Sequence, residues 1–367
     1  MTMGLELGVF MPVGNNGWVI SNAAPQYRPT FAHNRAIAEL AERIGFDYVF
    51  SMAKWKGFGG TTEFWNYSLE SMTLMSALAP LTRDVRLIAS VAPSLIHPAV
   101  YAKMAATLDE VSGGRLLVNI VSAANRDEYT QLGLYPDDFE SYRYAYTEEW
   151  LEVCKRLWTE DRVTFHGQYF AVEACESWPK PIQQPHPPVV CATSSDAGFE
   201  FVAKHCEYAF ISGNTLEQVN GLSQRAKRAG RAHGRAVRTQ LLTHLLLAES
   251  DAAAQETHAR YLEAADIEAI ANVFHLRARD RTQERAATME QRYESRGRVF
   301  YGGFPCVGGP ETIAGFLEDL VVHGEVDGVV LTFPDFVAGL RLFHERVQPL
   351  LQGRGLWQPP ARHAAAG

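Results

Sequence analysis

The stretch HPAVYAKMAATLDEVSGGRLLVNIVS (residues 97–122) contains two elements in succession. Pro98 follows His97 at a first helical position, where its missing N–H costs nothing, and Ser112-Gly113-Gly114 closes the helix. Residues 116–121 (LLVNIV) are then almost continuously apolar, without the alternation of a half-solvated strand. Such a strand is buried on both faces, the mark of a parallel sheet covered by helices.

The same unit recurs on either side. Strands are predicted at 5–13, 47–52, 85–91, 116–121, 189–192, 208–211, 239–247 and 328–333. Helices are predicted at 30–44 (opened by Thr30, stopped by Gly45), 68–81, 97–112, 141–158, 196–205, 215–234, 310–322 and 336–351. Eight strands alternating with helices point to an α/β fold, a closed (β/α)8 TIM barrel with insertions. An open doubly wound sheet expects G-x-G-x-x-G after its first strand; Gly57-Phe58-Gly59-Gly60 follows the second and does not match. Two segments break the rhythm: the proline-rich 160–187 and the charged, helical 250–300. The expected organisation is one catalytic barrel domain over 1–352 carrying both excursions, with a frayed tail at 353–367.

Composition removes several classes. The chain has 367 residues, long enough for two domains or one barrel with insertions. A net charge of −8 argues against a surface built for nucleic acid. The five cysteines include no C-x-x-C, and the twelve histidines no H-E-x-x-H, so neither a disulfide framework nor a metal site is expected. Residues 1–11 lack a basic start and a long apolar run, and no apolar stretch reaches the ~18 residues of a membrane span. A cytoplasmic enzyme without membrane contact is the expectation.

Barrel chemistry sits at the C-terminal ends of the strands, and that rule selects the candidates. Ser194, Ser195 and Asp196 follow the fifth strand at a helix start, where hydroxyls and free N–H groups either bind an anion or merely cap the helix. Ser90 and Asn119 are polar residues inside apolar strands. They bond either to a neighbouring strand or to a flat heterocycle rich in N–H and C=O. Lys54 either holds an anion or extends to solvent. Glu128 either exchanges protons or pairs with Arg126 or Lys54. Met52, Trp55, Phe58 and Trp65 either pack the loop onto the barrel or stack on a ligand.

Beyond these residues, the chain resembles the bacterial luciferase-like, flavin-dependent monooxygenases over essentially its whole length. Within them it is most similar to the pyrimidine (uracil) monooxygenase subgroup, whose relatives include riboflavin lyase. The carrying segments are GVFMPVGNNGWVIS (8–21), APQYRPTF (24–31), SMAKWKGFGGTTEFW (51–65), residues 97–122 quoted above, SDAGFEF (195–201) and GVVLTFPDF (328–336). The resemblance implies reduced FMN as co-substrate with O2, a separate NAD(P)H-dependent flavin reductase, and a homodimer or tetramer. It also implies that Ser194 and Ser195 take the FMN phosphate with Tyr129 nearby. Ser90 and Asn119 would lie by the isoalloxazine, and Met52, Lys54 and Glu128 would line the oxygen and substrate pocket. The implied catalytic set is Ser90, Asn119 and Met52; the implied substrate contacts are Met52, Lys54, Asn119, Ala124 and Glu128.

One departure bears on the substrate. Ala123-Ala124 stand where the pyrimidine enzyme has glycine and a tryptophan that walls the uracil pocket. Replacing an indole by a methyl frees on the order of 100 Å3, in a kind of site that spans roughly 300–1,000 Å3. The departure implies an N-heteroaromatic substrate larger than uracil, such as riboflavin. The alternatives are uracil ring opening, sulfone oxidation, or hydride transfer with the deazaflavin F420 on the same barrel.

Overall fold

The computed structural model describes residues 4–122, 126–278 and 299–360. Eleven strands lie among them: β1 Glu6–Phe10, β2 Tyr48–Ser51, β3 Arg86–Val91, β4 Leu116–Ile120, β5 Val163–His166, β6 Ala171–Cys175, β7 Val189–Ala192, β8 Tyr208–Ile211, β9 Arg238–Leu247, β10 Phe304–Gly308 and β11 Gly328–Thr332. The parallel order β1-β2-β3-β4-β7-β8-β9-β11 closes through β11 onto β1, giving an eight-stranded barrel. The expected fold class is the observed one. Every residue of β1, β2, β4 and β11 is buried, as strands covered on both faces must be.

The helix boundaries follow the capping signals. Thr30 accepts the His33 N–H ahead of Phe31–Arg43. Pro98 starts Pro98–Ser112, and Gly113 ends it at φ 68°, a left-handed conformation suited to glycine. Glu70 caps Ser71–Leu78 by accepting from Met72 N and Thr73 N, so this helix begins three residues later than its apolar pattern suggests.

Three features depart from the sequence reading. The 160–187 excursion contains an antiparallel hairpin, β5 with β6. It docks through the Glu149 carboxylate, which accepts N–H bonds from Gln168, Tyr169 and Phe170 at its tip. Second, β10 escaped the apolar pattern because it carries Pro305, and proline is confined to sheet edges. It pairs in parallel with the upper half of β9, from Phe304↔Thr243 to Gly308↔Leu247, beyond the last β8 pairing at Leu241. Third, the last helix is broken: Phe336–Leu342, a wider π turn over Phe343–Val347, then Gln348–Gly353. Pro349 there has no N–H to donate to a regular helical ladder.

Helices Asp251–Glu263 and Ile267–Ala278 occupy the predicted insertion after β9; its continuation over 279–298 lies outside the described residues. The start of the expected frayed tail is packed. Leu356 O accepts from Leu5 N at 2.9 Å, and Trp357 is buried.

Candidate active site

Because all eight barrel strands are parallel, their C-terminal ends share one rim. On it, Ser90 of β3 faces Asn119 of β4 across the ladder. Asn119 Nδ2 donates to Ser90 Oγ at 2.7 Å, and Ser90 Oγ donates to Ser51 O at 2.6 Å. The Ser90 N–H is taken by Ser71 Oγ at 2.8 Å, and the Ser71 hydroxyl donates to Ser51 O at 3.1 Å. The outer end of this network is open: Asn119 is 3% exposed, and its Oδ1 has no partner among the described residues. A buried carbonyl oxygen without a donor costs free energy unless a ligand or water supplies one.

At the same rim, Lys54 Nζ and Glu128 Oε1 form a buried ion pair that joins the loop after β2 to the short helix Arg126–Thr130 after β4. Of the two cations near Glu128 in the sequence reading, Lys54 is one that it meets. Glu128 Oε2 also accepts the Trp55 N–H at 3.4 Å, and the Lys54 ammonium lies 4.2 Å from the Phe58 ring centre.

Aromatic packing continues from the Lys54 ammonium, which lies 5.7 Å from the Trp65 ring centre. Trp18 from the loop after β1, Trp65 from the loop after β2 and Tyr301 from beyond the insertion contact one another. Trp65–Tyr301 centroids are 4.3 Å apart and Trp18–Trp65 centroids 4.9 Å. Trp65 Nε1 donates to Gly17 O at 2.6 Å. Met52, Phe58 and Trp65 are buried, whereas Trp55 is exposed.

The insertion holds these loops in place. The Asp266 carboxylate accepts from Thr62 N (2.7 Å), Thr62 Oγ1 (2.8 Å) and Ala269 N (3.1 Å). Asn272 Nδ2 donates to Phe58 O at 2.8 Å, and single bridges join Val19 to Phe300 and Ser21 to Ala265. Burial would raise the Asp266 pKa, but the N–H bonds from Thr62 and Ala269 outweigh it, and the net shift is downward.

His244 of β9 anchors the insertion's return segment. Its Nε2 lies 2.6 Å from Gly302 O and 3.1 Å from Tyr301 O, so this nitrogen carries the proton, and Nδ1 accepts from Thr332 Oγ1 at 2.6 Å. Burial pushes its pKa down to about 4, leaving a neutral ring. Four residues deeper along the strand, Gln240 is fully buried, and neither of its amide atoms has a partner among the described residues. The sequence reading missed Ser71, Asp266, His244 and Gln240. The last two had a visible signal, as large polar residues flanking and within the leucine-rich run of a single strand.

The β7 loop stands beside Asn119, since β4 pairs with β7 through Asn119↔Val190. Ser195 caps Asp196–His205 by accepting from Gly198 N at 3.2 Å, and Tyr144 OH lies 3.3 Å from its Oγ. Ser194 and Ser195 are half-buried, and Thr193 Oγ1 is buried without a partner among the described residues. Tyr129 is buried in a cluster with Ala92 and Phe139. Ala124 lies outside the described residues.

The arrangement thus brings Ser90 to Asn119 and Lys54 to Glu128, with the Ser194-Ser195 loop on the adjacent strand. A match to the family described as luciferase-like monooxygenase spans residues 5–325. The chain belongs to that family. Among curated proteins it is 38% identical over 354 residues to the pyrimidine monooxygenase RutA of Acinetobacter baylyi, covering 95% of each chain. It is 40% identical to that of Stutzerimonas stutzeri, covering 95% of this chain and 97% of the relative. Among solved structures it superposes on riboflavin lyase (RcaE), solved with modified FMN and riboflavin, with a TM-score of 0.84. Identity there is 20%, over 97% of this chain and 93% of the other. Long-chain alkane monooxygenase (LadA) gives a TM-score of 0.85 at 19% identity, over 98% and 94%. These structural likenesses are of fold. With the family match and the curated relatives, the chain is a flavin-dependent monooxygenase of the luciferase-like family. No helix among the described residues is long and apolar enough to cross a membrane.

Proposed function

We propose that this protein is a two-component monooxygenase that uses reduced FMN and O2 to oxidise an N-heteroaromatic ring bearing a uracil-like N–H/C=O edge. The observation that carries the reading is Asn119 Oδ1, buried at the rim and lacking a donor among the described residues. It fits the imide N–H that uracil and the flavin ring both present. Ser90 and Asn119 would hold that edge. The Ser194-Ser195 loop would receive the FMN phosphate at a helix N-terminus with Tyr144 beside it. Reduced flavin supplies the activation of O2 when bound. The chain itself supplies orientation and a dry wall of Met52, Phe58, Trp65 and Trp18 that excludes water from the reacting ring.

Uracil-type substrates come first in this reading. The curated relatives at 38–40% identity are pyrimidine monooxygenases, while the likeness to riboflavin lyase is 20% identical. A larger substrate is the second reading and rests on Ala123-Ala124 in the sequence. Under it, Ala124→Trp blocks riboflavin and leaves FMN binding intact, because overpacking a rigid pocket is hard to relieve.

The test supplies photoreduced FMN and O2 with uracil or riboflavin and identifies products by mass spectrometry. Oxygenated uracil is expected, with none formed anaerobically or from NAD(P)H without a reductase. Consumption of riboflavin with uracil untouched moves the assignment to the second reading. Turnover without O2 removes the monooxygenase reading in favour of hydride transfer.

A further inference from the structure

The helix Pro98–Ser112 turns one stripe of side chains to solvent. Val100, Met104 and Val111 on it are 54%, 40% and 48% exposed, and Thr107 lies exposed between them. At about 100° per residue these four fall within roughly 60° of arc, so they form one narrow ridge. Two half-exposed apolar residues border it, Trp178 and Ile182. Lys103 Nζ donates to Trp178 O at 2.9 Å, and a Cβ on Gly114, just past the helix end, would lie 3.2 Å from Ile182 Cγ2. The neighbouring helix Ser71–Leu78 exposes Thr73, Ser76 and Ala77. Of the exposed residues on these two helices, Lys103 and Glu110 alone carry charge. An apolar face with so little charge has the composition of an interface core.

The stripe is also complementary to itself. About the helix midpoint, between Ala105 and Ala106, Val100 mirrors Val111 and Met104 mirrors Thr107. A second copy laid antiparallel across a twofold axis at that point sets Val100 against the partner's Val111 and Met104 against the partner's Thr107. Lys103 and Glu110 share one flank of the ridge, about 20° apart in projection and roughly 10 Å apart along the helix. Such a twofold axis reverses the helix direction and keeps each flank on its own side. It therefore brings Lys103 within about 3 Å, along the axis, of the partner's Glu110. We propose that this face is where two copies of the chain associate. Helix Pro98–Ser112 packs antiparallel on its own copy, and two Lys103–Glu110 ion pairs run along one flank. A twofold interface needs this kind of self-matching patch, which a surface shaped for a different protein does not.

The experiment measures association of wild type and four variants by sedimentation velocity over a concentration series, with circular dichroism and thermal melting to check folding. Wild type is expected as a dimer, or as a tetramer built from such dimers. Met104→Glu sets an acid within about 5 Å, along the axis, of its own copy, and is expected to halve the size of the assembly. Lys103→Glu and Glu110→Lys each set like charges together and are expected to weaken association by about tenfold or more. In Lys103→Glu/Glu110→Lys the two charges are exchanged, and association is expected to return to within a few-fold of wild type.

A wild type that sediments as a single chain at micromolar concentration leaves this face to a different protein and overturns the inference. An oligomer that Met104→Glu does not dissociate has its interface elsewhere and does the same. Single charge reversals without effect, or a weakening that the exchanged pair does not recover, overturn the antiparallel arrangement. Should Met104→Glu not fold, the charge series decides alone. None of these outcomes depends on what the active site oxidises, so the proposed function stands or falls separately.

Discussion

Lys54 and Glu128 form an ion pair with 4% and 6% of their side chains exposed, joining the loop after β2 to the helix after β4 over the top of β3. Two charges so far from water are tolerated only together. Removing one partner takes away the other's counter-charge, at a cost of about 3–5 kcal/mol, whereas replacing both by apolar groups is often close to neutral. Lys54→Met and Glu128→Gln are therefore expected to lower unfolding stability strongly. The pair Lys54→Met/Glu128→Leu should recover much of it. Denaturant titration checks this, and single variants within about 1 kcal/mol of wild type would contradict it.

The His244 ring has a pKa of about 4 in the fold, against an ordinary value of 6.5. Between those values the unfolded chain binds a proton that the folded chain does not. Stability from this group is present above about 6.5 and is lost as pH falls toward 4, by on the order of 3 kcal/mol. Asp47 acts with the opposite sign. Its pKa is raised by burial to about 6, so its contribution falls as pH rises from 3.8 to 6. Comparing wild type with His244→Gln isolates the imidazole: the urea midpoint of wild type should drop more steeply between pH 7 and 4.5. Parallel curves would show that His244 is not held neutral.

Ser195 caps a helix, and with Ser194 it is proposed to bind a phosphate. Cap loss costs about 1 kcal/mol of stability. Loss of the hydroxyls to a charged ligand costs about 1–3 kcal/mol of binding. Ser194→Ala/Ser195→Ala should thus weaken FMN by roughly fivefold or more while leaving riboflavin, which has no phosphate, almost unaffected. Fluorescence titration with both flavins reads the difference, and equal weakening of the two would remove the phosphate assignment.

Asp266 gathers three donors from two segments, Thr62 N, Thr62 Oγ1 and Ala269 N. Asp266→Ala should release the loop after β2 from the insertion, at a cost of roughly 1–3 kcal/mol for buried donors left unmet. Lys56 in that loop is exposed and offers a protease site. Faster tryptic cleavage after Lys56 is the expected result, and an unchanged rate would mean that the insertion does not restrain the loop.

The sequence by itself determined the barrel. Continuous apolar strands such as 116–121 can be buried only on both faces, and eight of them alternating with capped helices close on themselves. It also determined most element positions, because the capping residues Thr30, His97-Pro98 and Ser195 act on their own neighbours. The polar residues inside apolar strands, Ser90 and Asn119, stood out for the same local reason. What each of them bonds to was not legible there. Glu128 had two possible cationic partners, and the fold brings it Lys54, 74 residues away. Ser71 read as one more helical residue until helix packing brought its hydroxyl to Ser90 N, 19 residues on. Asp266 meets Thr62 across 204 residues, because the insertion after β9 folds back over the loop after β2. Capping and periodicity act over a turn of chain, and a sequence records them. Hydrogen-bond partners across the rim depend on how barrel closure and loop packing bring distant segments together, and only the tertiary structure decides that.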